Sequence, residues 1–343
     1  MRWSRACLES IAYLLPVERV RSTALEERLA PAYEALGLAP GQLEALTGVA
    51  ERRYWPADAA IHEVAAEVGA RALQRAGLAP SDLGAVLYAG GARDRIEPAT
   101  ALAVADALGA SVETWAHDLF AGCLGALVGM VDVANRIELG QIRAGLVVAV
   151  ESGRAIAEAT IEVLDAQPSM EALRLGLAAL ARGSAAVAIL LVDAALCRTG
   201  RRLLGGVSLA APEHQHLCTW GEGRGGSALR LHADGSALRV EGAHLGVRTY
   251  ERFLAHLGWH PDDVARVVWH QADAGSRSFL LEALRIPPAK DVSHLDHLGD
   301  TGAAAIPLSL AMAAERGGLA EGDRVTLLGI GSGLSSMALG LTW

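Results

Sequence analysis

The 343-residue chain has few cysteines and no excess of positive charge. Its four cysteines, Cys7, Cys123, Cys197 and Cys218, have spacings that fit neither a disulfide framework nor a metal site, so a reducing, cytoplasmic environment is expected. The uncharged run at residues 119–131 is too short to span a bilayer. The net charge of −9 argues against nucleic acid as the main partner.

The composition suits a large folded protein. Hydrophobic residues make up 52% of the chain and charged residues 20%, which is enough to bury a sizeable core. The length predicts two domains or one large duplicated domain. The first twenty residues do not resemble a signal peptide, because Glu9 and Pro16 interrupt a short apolar stretch.

Apolar runs typical of buried strands alternate with Ala- and Leu-rich runs typical of helices, which predicts an α/β fold. Strands are predicted at 83–91, 144–152, 185–194, 265–273 and 323–333. Helices are predicted at 63–78, 124–140 and 301–318. The histidine-containing segments 213–216 and 294–297 lack a closing set of metal ligands and are predicted to be loops.

The two halves of the chain follow the same plan. A small-residue helix, a short polar link and a strand occur in both, with 21 residues from Gly125 to Leu146 and 23 from Gly302 to Val325. This similarity predicts an internal duplication with a boundary near residues 195–205. The starts of the two equivalent helices are then expected to lie near each other.

Cys123 is a candidate nucleophile because it lies where a loop meets a small-residue helix. The amides and the dipole of a helix start stabilise a thiolate. The neighbouring Gly122 and Gly125 leave room for a substrate. The alternative is an inert cysteine in the core.

Three further candidates lie in the second half. His270 follows a predicted buried strand, where functional side chains collect in α/β proteins, although it also fits as an ordinary core or surface histidine. Asp300 opens the helix at 301 and fits equally well as a helix cap. Ser332 lies in a glycine loop that matches neither a dinucleotide fingerprint nor a nucleophile elbow, so an amide donor to an oxyanion is its expected use.

The chain resembles the ketosynthase III group of the thiolase superfamily. The motifs that carry this resemblance are "LTGVAERRYW" (46–55), "IEPAT" (96–100), "AGC" (121–123), "WHQA" (269–272), "GDTGAAAIPLSL" (299–310) and "LLGIGSGLSS" (327–336). Three of them, "ERRYW", "IEPAT" and "LLGIGSGLSS", look particularly like the enzymes that condense two fatty acyl chains head to head in olefin biosynthesis.

The resemblance implies a five-layered αβαβα fold with internal duplication, an amino-terminal half at 1–198, a carboxyl-terminal half at 199–343, and a homodimer. It makes Cys123 the acylated nucleophile and His270 the catalytic histidine. The oxyanion hole would consist of the backbone N–H groups of Cys123 and Ser332. Glu97 would reach the site of the neighbouring subunit as an interface residue or a base.

Two departures from the family pattern shape the expected function. Asp300 replaces the usual asparagine, and an ionised carboxylate accepts hydrogen bonds but cannot donate one to an enolate. It can orient His270 and stabilise its cation, as in an acyl-transfer triad. Gln42 and Leu46 stand at about the positions of the tryptophan and the arginine that hold coenzyme A in primer-condensing members, which favours an acyl carrier protein over acyl-CoA as donor.

The sequence therefore predicts an acyltransferase of polyketide or other secondary metabolism. It would move an acyl group from a carrier-protein thioester through Cys123 to an oxygen or sulfur acceptor, either a small molecule or a carrier protein, without a cofactor. Carbon–carbon condensation, head to head or decarboxylative, is the first alternative. A non-catalytic partner subunit is the second.

Overall fold

The computed structural model describes residues 1–223 and 227–343. Its strands are β1 (Ala6–Leu14), β2 (Glu18–Arg21), β3 (Glu51–Tyr54), β4 (Ala85–Tyr88), β5 (Trp115–Asp118), β6 (Ala144–Glu151), β7 (Ala185–Asp193), β8 (Arg202–Ala210), β9 (Cys218–Gly223), β10 (Ser227–Ala233), β11 (Val264–Trp269), β12 (Asp291–Val292), β13 (Arg324–Gly331) and β14 (Ser335–Thr342). Its helices are α1 (Ser22–Arg28), α2 (Ala30–Leu36), α3 (Gln42–Thr47), α4 (Ile61–Ala76), α5 (Thr100–Leu108), α6 (Gly125–Glu138), α7 (Arg154–Ala166), α8 (Met170–Leu180), α9 (Gly235–Leu257), α10 (Ala274–Leu284), α11 (Leu295–Leu298) and α12 (Ala305–Glu315).

Ten strands form one mixed sheet in the order β12-β11-β13-β14-β8-β1-β7-β6-β4-β5. From the centre outward, one half of the sheet has the order β1-β7-β6-β4-β5 and the other has β8-β14-β13-β11-β12. Each strand of the second series follows its counterpart in the first by seven strands along the chain, so the two halves have the same topology. They meet where Cys7 of β1 pairs with Arg202 of β8. This repeated order confirms the predicted internal duplication. A boundary at 198/199, in the connection from β7 to β8, stays a prediction.

Three hydrophobic clusters show how helices cover the two half-sheets. Side chains of α6 and α12 pack together with residues from both half-sheets in the largest cluster. Helix α4 covers the other face of the amino-terminal half-sheet, and α9 and α10 cover the other face of the carboxyl-terminal one. The layers are therefore helix, sheet, helix, sheet, helix, as predicted for a thiolase-like fold.

The predicted elements are present, with altered bounds. The five predicted strands are β4, β6, β7, β11 and β13, and the three predicted helices are α4, α6 and α12. Strands β4 and β11 end early, at Tyr88 and Trp269, because the chain leaves the sheet there and enters loops.

The prediction of loops at the two histidine-containing segments was wrong. Residues 213–216 lie in a short 3₁₀ helix, Pro212–Leu217, and residues 294–297 overlap α11. Local polar composition predicts loops, but it does not distinguish an open loop from a single hydrogen-bonded turn. Among the described residues, no helix combines the length and the apolar character needed to cross a membrane.

Replacing Gly125 with alanine tests the close packing at the start of α6. A Cβ atom there would overlap the carbonyl oxygen of Ala89, whereas one at Gly235 would meet no atom within 4 Å. We expect Gly125→Ala to lower the free energy of unfolding by about 1–3 kcal/mol, since overpacking a tight contact forces the backbone to shift. The matched Gly235→Ala change should be neutral or stabilising by up to about 1 kcal/mol. Chemical denaturation measures both, and equal stabilities would contradict the tight packing.

Candidate active site

Four predicted site residues line one cavity of about 770 Å³: Cys123, His270, Asp300 and Ser332. This volume is in the range of small-molecule sites. Most of the wall is apolar, from Leu46, Phe120, Ile156, Leu177, Trp220, Leu231, Leu238, Leu280, Ile330 and Leu334. The cavity is suited to a substrate with a polar reacting group and a long apolar portion.

Cys123 lies in a 3₁₀ turn, Gly122–Leu124, that leads directly into α6. Gly122 has a φ of +52°, a conformation that favours glycine, and this places the thiol at the helix start. A Cβ atom on Gly122 would lie 3.6 Å from Oγ of Ser332, so the glycine loop after β13 borders the nucleophile turn. The arrangement is the predicted one, with partial positive charge from the helix start beside the sulfur.

His270 is the first residue after β11, and its backbone N–H donates to the carbonyl of Leu328, 3.1 Å away. Its two neighbours fix this strand end. Nε1 of Trp269 donates to Oδ1 of Asp291 at 2.6 Å, and Nε2 of Gln271 donates to the carbonyl of Val292 at 2.7 Å. The imidazole therefore projects from a rigid support, as precise chemistry requires.

Asp300 accepts hydrogen bonds with both carboxylate oxygens. Oδ1 accepts from the N–H of Gly302 at 2.8 Å and lies 3.3 Å from Nε2 of His270, while Oδ2 accepts from Nη1 of Arg182 at 3.0 Å. Burial alone would raise the pKa of Asp300, but Arg182, His270 and the Gly302 amide together hold it well below its usual range. Asp300 is thus an ionised carboxylate, both a cap of the 3₁₀ turn before α12 and a partner of His270.

His270 lies between two acidic groups. Burial disfavours a charge on the ring, but Cys123 and Asp300 outweigh it and raise the pKa of His270 well above its usual value. An imidazolium at neutral pH follows from this arrangement. It suits the stabilisation of a thiolate at Cys123 and the donation of a hydrogen bond to a developing oxyanion.

Sequence reasoning missed two charged residues of the site. Nη2 of Arg182 donates to Oε2 of Glu151 at 2.9 Å, and Oε1 of Glu151 accepts from the N–H groups of Gly91 and Ala303. A signal was present, since Glu151 ends the otherwise apolar strand β6 and Arg182 lies three residues before β7, which is apolar up to its last residue. Charges at the ends of buried strands indicate a functional or paired group.

Two more pocket features bear on chemistry. Oγ of Ser332 donates to Sγ of Cys218 at 3.5 Å, and burial raises the pKa of Cys218, so its thiol stays neutral. Within residues 1–223 and 227–343, no group of three or more His, Cys, Asp or Glu side chains is arranged to hold a metal ion.

Glu97 does not lie with the other predicted residues. It is exposed on the loop between β4 and α5 and is not among the residues that line the cavity. That loop is held at one end by Asp94, which accepts from the N–H groups of Ile61 and His62. At the other end Asp118 accepts from the N–H groups that start α5. A role for Glu97 at a subunit interface or as a base stays a prediction.

Comparison with known proteins finds relatives along the whole chain. Residues 254–343 match the model of the family described as 3-oxoacyl-[acyl-carrier-protein] synthase III C terminal. A protein of Shewanella oneidensis named acyl-CoA:acyl-CoA alkyltransferase is 43% identical over 349 residues, with 100% of each chain covered. Beta-ketoacyl-[acyl-carrier-protein] synthase III 5 of Streptomyces coelicolor is 32% identical over 307 residues, with 87% of each covered.

Solved structures also match this chain over its whole length. The crystal structure of cerulenin-bound Xanthomonas campestris OleA superposes with a TM-score of 0.94 at 30% identity, covering 100% of this chain and 98% of that one. The thiolase-like fold is shown by this match.

Covalent labelling tests Cys123 as the nucleophile. Incubation with a long-chain acyl-CoA or an acyl carrier protein thioester is expected to add one acyl group to the protein, because the thiol is at a helix start and faces His270. Intact-mass measurement with peptide mapping should place the group on Cys123. An adduct that persists in Cys123→Ala, or none in the natural chain, would contradict the assignment; Cys218→Ala is the control that should still be acylated.

Proposed function

Because this chain belongs to the ketosynthase III family of the thiolase superfamily, we propose that it joins two fatty acyl thioesters head to head, with acyl-CoA as the donor. The observation that carries the proposal is the full-length similarity to a relative named acyl-CoA:acyl-CoA alkyltransferase, together with Cys123 and His270 in one apolar cavity. Transfer to an oxygen or sulfur acceptor, the main expectation from the sequence, is less well supported. The comparisons favour its condensing alternative.

In the first half-reaction, the Cys123 thiolate attacks the carbonyl carbon of the first acyl-CoA. The bond from this carbon to the coenzyme A sulfur breaks, and the leaving thiolate takes a proton from the His270 imidazolium. The backbone N–H groups of Cys123 and Ser332 are the proposed donors to the tetrahedral oxyanion. Coenzyme A leaves as a thiol, the acyl group remains on Cys123, and His270 regains a proton from water.

In the second half-reaction, a base removes a proton from the α-carbon of the second acyl-CoA. The resulting enolate is stabilised by a hydrogen bond from His270, and its carbon attacks the acyl carbonyl on Cys123. A carbon–carbon bond forms, the bond to sulfur breaks, and the thiolate is restored. The product is a β-keto thioester of coenzyme A, and the base later returns its proton to water.

Glu97 of the partner subunit is the proposed base. Strand β5 is the free edge of the sheet, and exposed apolar side chains surround it and the Glu97 loop: Ile96, Leu102, Val112, Trp115 and Phe120. Exposed strand edges and apolar patches of this kind mark protein interfaces. A homodimer through this edge would place each Glu97 loop against the other subunit.

Product analysis tests the type of reaction. With one long-chain acyl-CoA as the sole substrate, the β-keto product should hydrolyse and lose CO₂, which leaves a ketone one carbon shorter than the two chains together. Mass spectrometry of extracts should detect this ketone, and Cys123→Ala should produce none. The same assay includes a primary alcohol and pantetheine as competing acceptors. Formation of esters or new thioesters without a carbon–carbon product would favour the transfer function instead.

Hybrid dimers test whether Glu97 acts across the interface. Cys123→Ala and Glu97→Gln homodimers should each lose at least about 100-fold in rate, because each lacks one essential group in both sites. A hybrid of the two variants, co-expressed with different tags, contains one complete site and should regain about half of the natural activity. An inactive hybrid would mean that Glu97 serves its own subunit, and an active Glu97→Gln homodimer would mean that Glu97 is not the base. A hybrid of natural and Cys123→Ala chains, purified in the same way, is the control. It also contains one complete site and should show about half of the natural activity.

A further inference from the structure

Three charged side chains form a buried cluster behind His270, here called the arginine cluster: Glu151, Arg182 and Asp300. Arg182 bridges the two carboxylates, with distances of 2.9 Å from Nη2 to Oε2 of Glu151 and 3.0 Å from Nη1 to Oδ2 of Asp300. The exposed side-chain fractions are 4% for Glu151 and 10% for the other two. A buried charge of this kind is tolerated only with a close partner, so the three side chains depend on one another.

The backbone leaves room for this cluster. A Cβ atom on Gly302 would lie 2.8 Å from Nη2 of Arg182 and 2.8 Å from Cδ of Glu151, closer than real Cβ contacts allow. Gly302 also donates its N–H to Asp300. The turn before α12 is thus shaped around both the carboxylate and its arginine partner.

We infer that Arg182 is a positioning residue of the condensation: it holds Asp300 with Oδ1 toward His270 and offsets the Asp300 charge where the enolate develops. The inference rests on the proposed function. An isolated carboxylate beside His270 would repel an enolate oxygen, and it has no proton to donate. Arg182 on its other side offsets part of the Asp300 charge, since it also pairs with Glu151, and His270 can act as the donor.

The role of Asp300 is largest after the first half-reaction. In the free enzyme, two acidic groups raise the pKa of His270, Cys123 in the turn before α6 and Asp300 in the turn before α12. Acylation removes Cys123 from this pair, because a thioester sulfur cannot ionise. Asp300 then remains as the anion next to the ring, with Arg182 and Glu151 behind it and the neutral thiol of Cys218 on β9. Asp300 therefore favours the return of a proton to the ring before the second substrate reacts.

A purely structural role for Arg182 makes a different prediction. The segments that carry Arg182 and Asp300 are already joined by backbone hydrogen bonds, from the N–H of Gly183 to the carbonyl of Asp300 at 2.9 Å and from the N–H of Asp300 to the carbonyl of Ala181 at 3.0 Å. These bonds do not need the guanidinium. If Arg182 only ties the segments together, a second substitution at Asp300 should lower the activity of an Arg182 variant further and should not restore it.

The first experiment compares Arg182→Gln, Arg182→Lys and the double variant Arg182→Gln/Asp300→Asn. We expect Arg182→Gln to lower kcat for ketone formation at least about 100-fold, because an uncompensated carboxylate opposes the enolate. The double variant should recover at least about tenfold over Arg182→Gln, since asparagine is neutral and can donate. Arg182→Lys, which keeps the cation, should stay within about tenfold of the natural chain. Arg71→Gln, at an exposed i,i+4 pair, is the control for the substitution itself.

The second experiment does not depend on the overall reaction. In a Cys123→Ala background, the His270 resonance is assigned as the signal missing from a His270→Gln variant and is titrated by ¹⁵N NMR. Adding Arg182→Gln should move the titration midpoint of His270 to higher pH, since the Asp300 charge is no longer offset. Adding Arg182→Gln together with Asp300→Asn should move this midpoint to lower pH. This readout holds even if the protein transfers acyl groups instead of condensing them, so failure of the proposed function is seen separately as absence of the ketone.

The outcomes decide the inference. A double variant no more active than Arg182→Gln would overturn it, as would a lysine variant as inactive as the glutamine variant, or a His270 titration that Arg182→Gln leaves unchanged. If Arg182→Gln does not fold, the lysine variant and the double variant are compared in its place. In that case the double variant should fold, and its failure to do so would also count against the charge offset.

Discussion

The Asp300 carboxylate can be buried beside His270 because Arg182 lies on its other side. Without that guanidinium, the carboxylate would either take up a proton or leave the site. Glu151 in turn accepts from the second arm of the guanidinium and from two backbone N–H groups. This arrangement ties the end of β6, the segment before β7 and the start of α12 to the histidine, so the charge state of the whole site depends on one arginine.

Much of the fold and most of the site could be predicted from local signals. Cys123 stands at a loop-to-helix junction and His270 at a strand end, and both positions depend on residues near them in the chain. The repeated topology could be predicted too, because the order of helix, link and strand in each half is also read from neighbouring residues. The short histidine-containing turns were predicted as loops because polar composition alone does not specify hydrogen bonding.

The arginine cluster could not be predicted in this way. Asp300 and Arg182 are 118 positions apart, and Glu151 lies 31 positions before Arg182. No periodicity or spacing links them, and the Asp300–Arg182 pair exists only after both half-sheets have formed. The prediction of acyl transfer followed from considering Asp300 as a lone carboxylate. Arg182 changes the chemical consequence of that substitution, because the guanidinium offsets part of the charge that the Asp300 carboxylate brings to the cavity.

The division of the site between the two repeats has a consequence for synthesis on the ribosome. Cys123, Glu151 and Arg182 emerge with the first repeat, whereas His270 and Asp300 follow only with the second. Until then the nascent chain carries Cys123 without His270, and an arginine that lacks one of its two carboxylates. The apolar face of α6 that packs against the second half-sheet is also uncovered at that stage. The site is therefore assembled only when translation is nearly complete, and the incomplete chain is the form most exposed to aggregation and to chaperone binding.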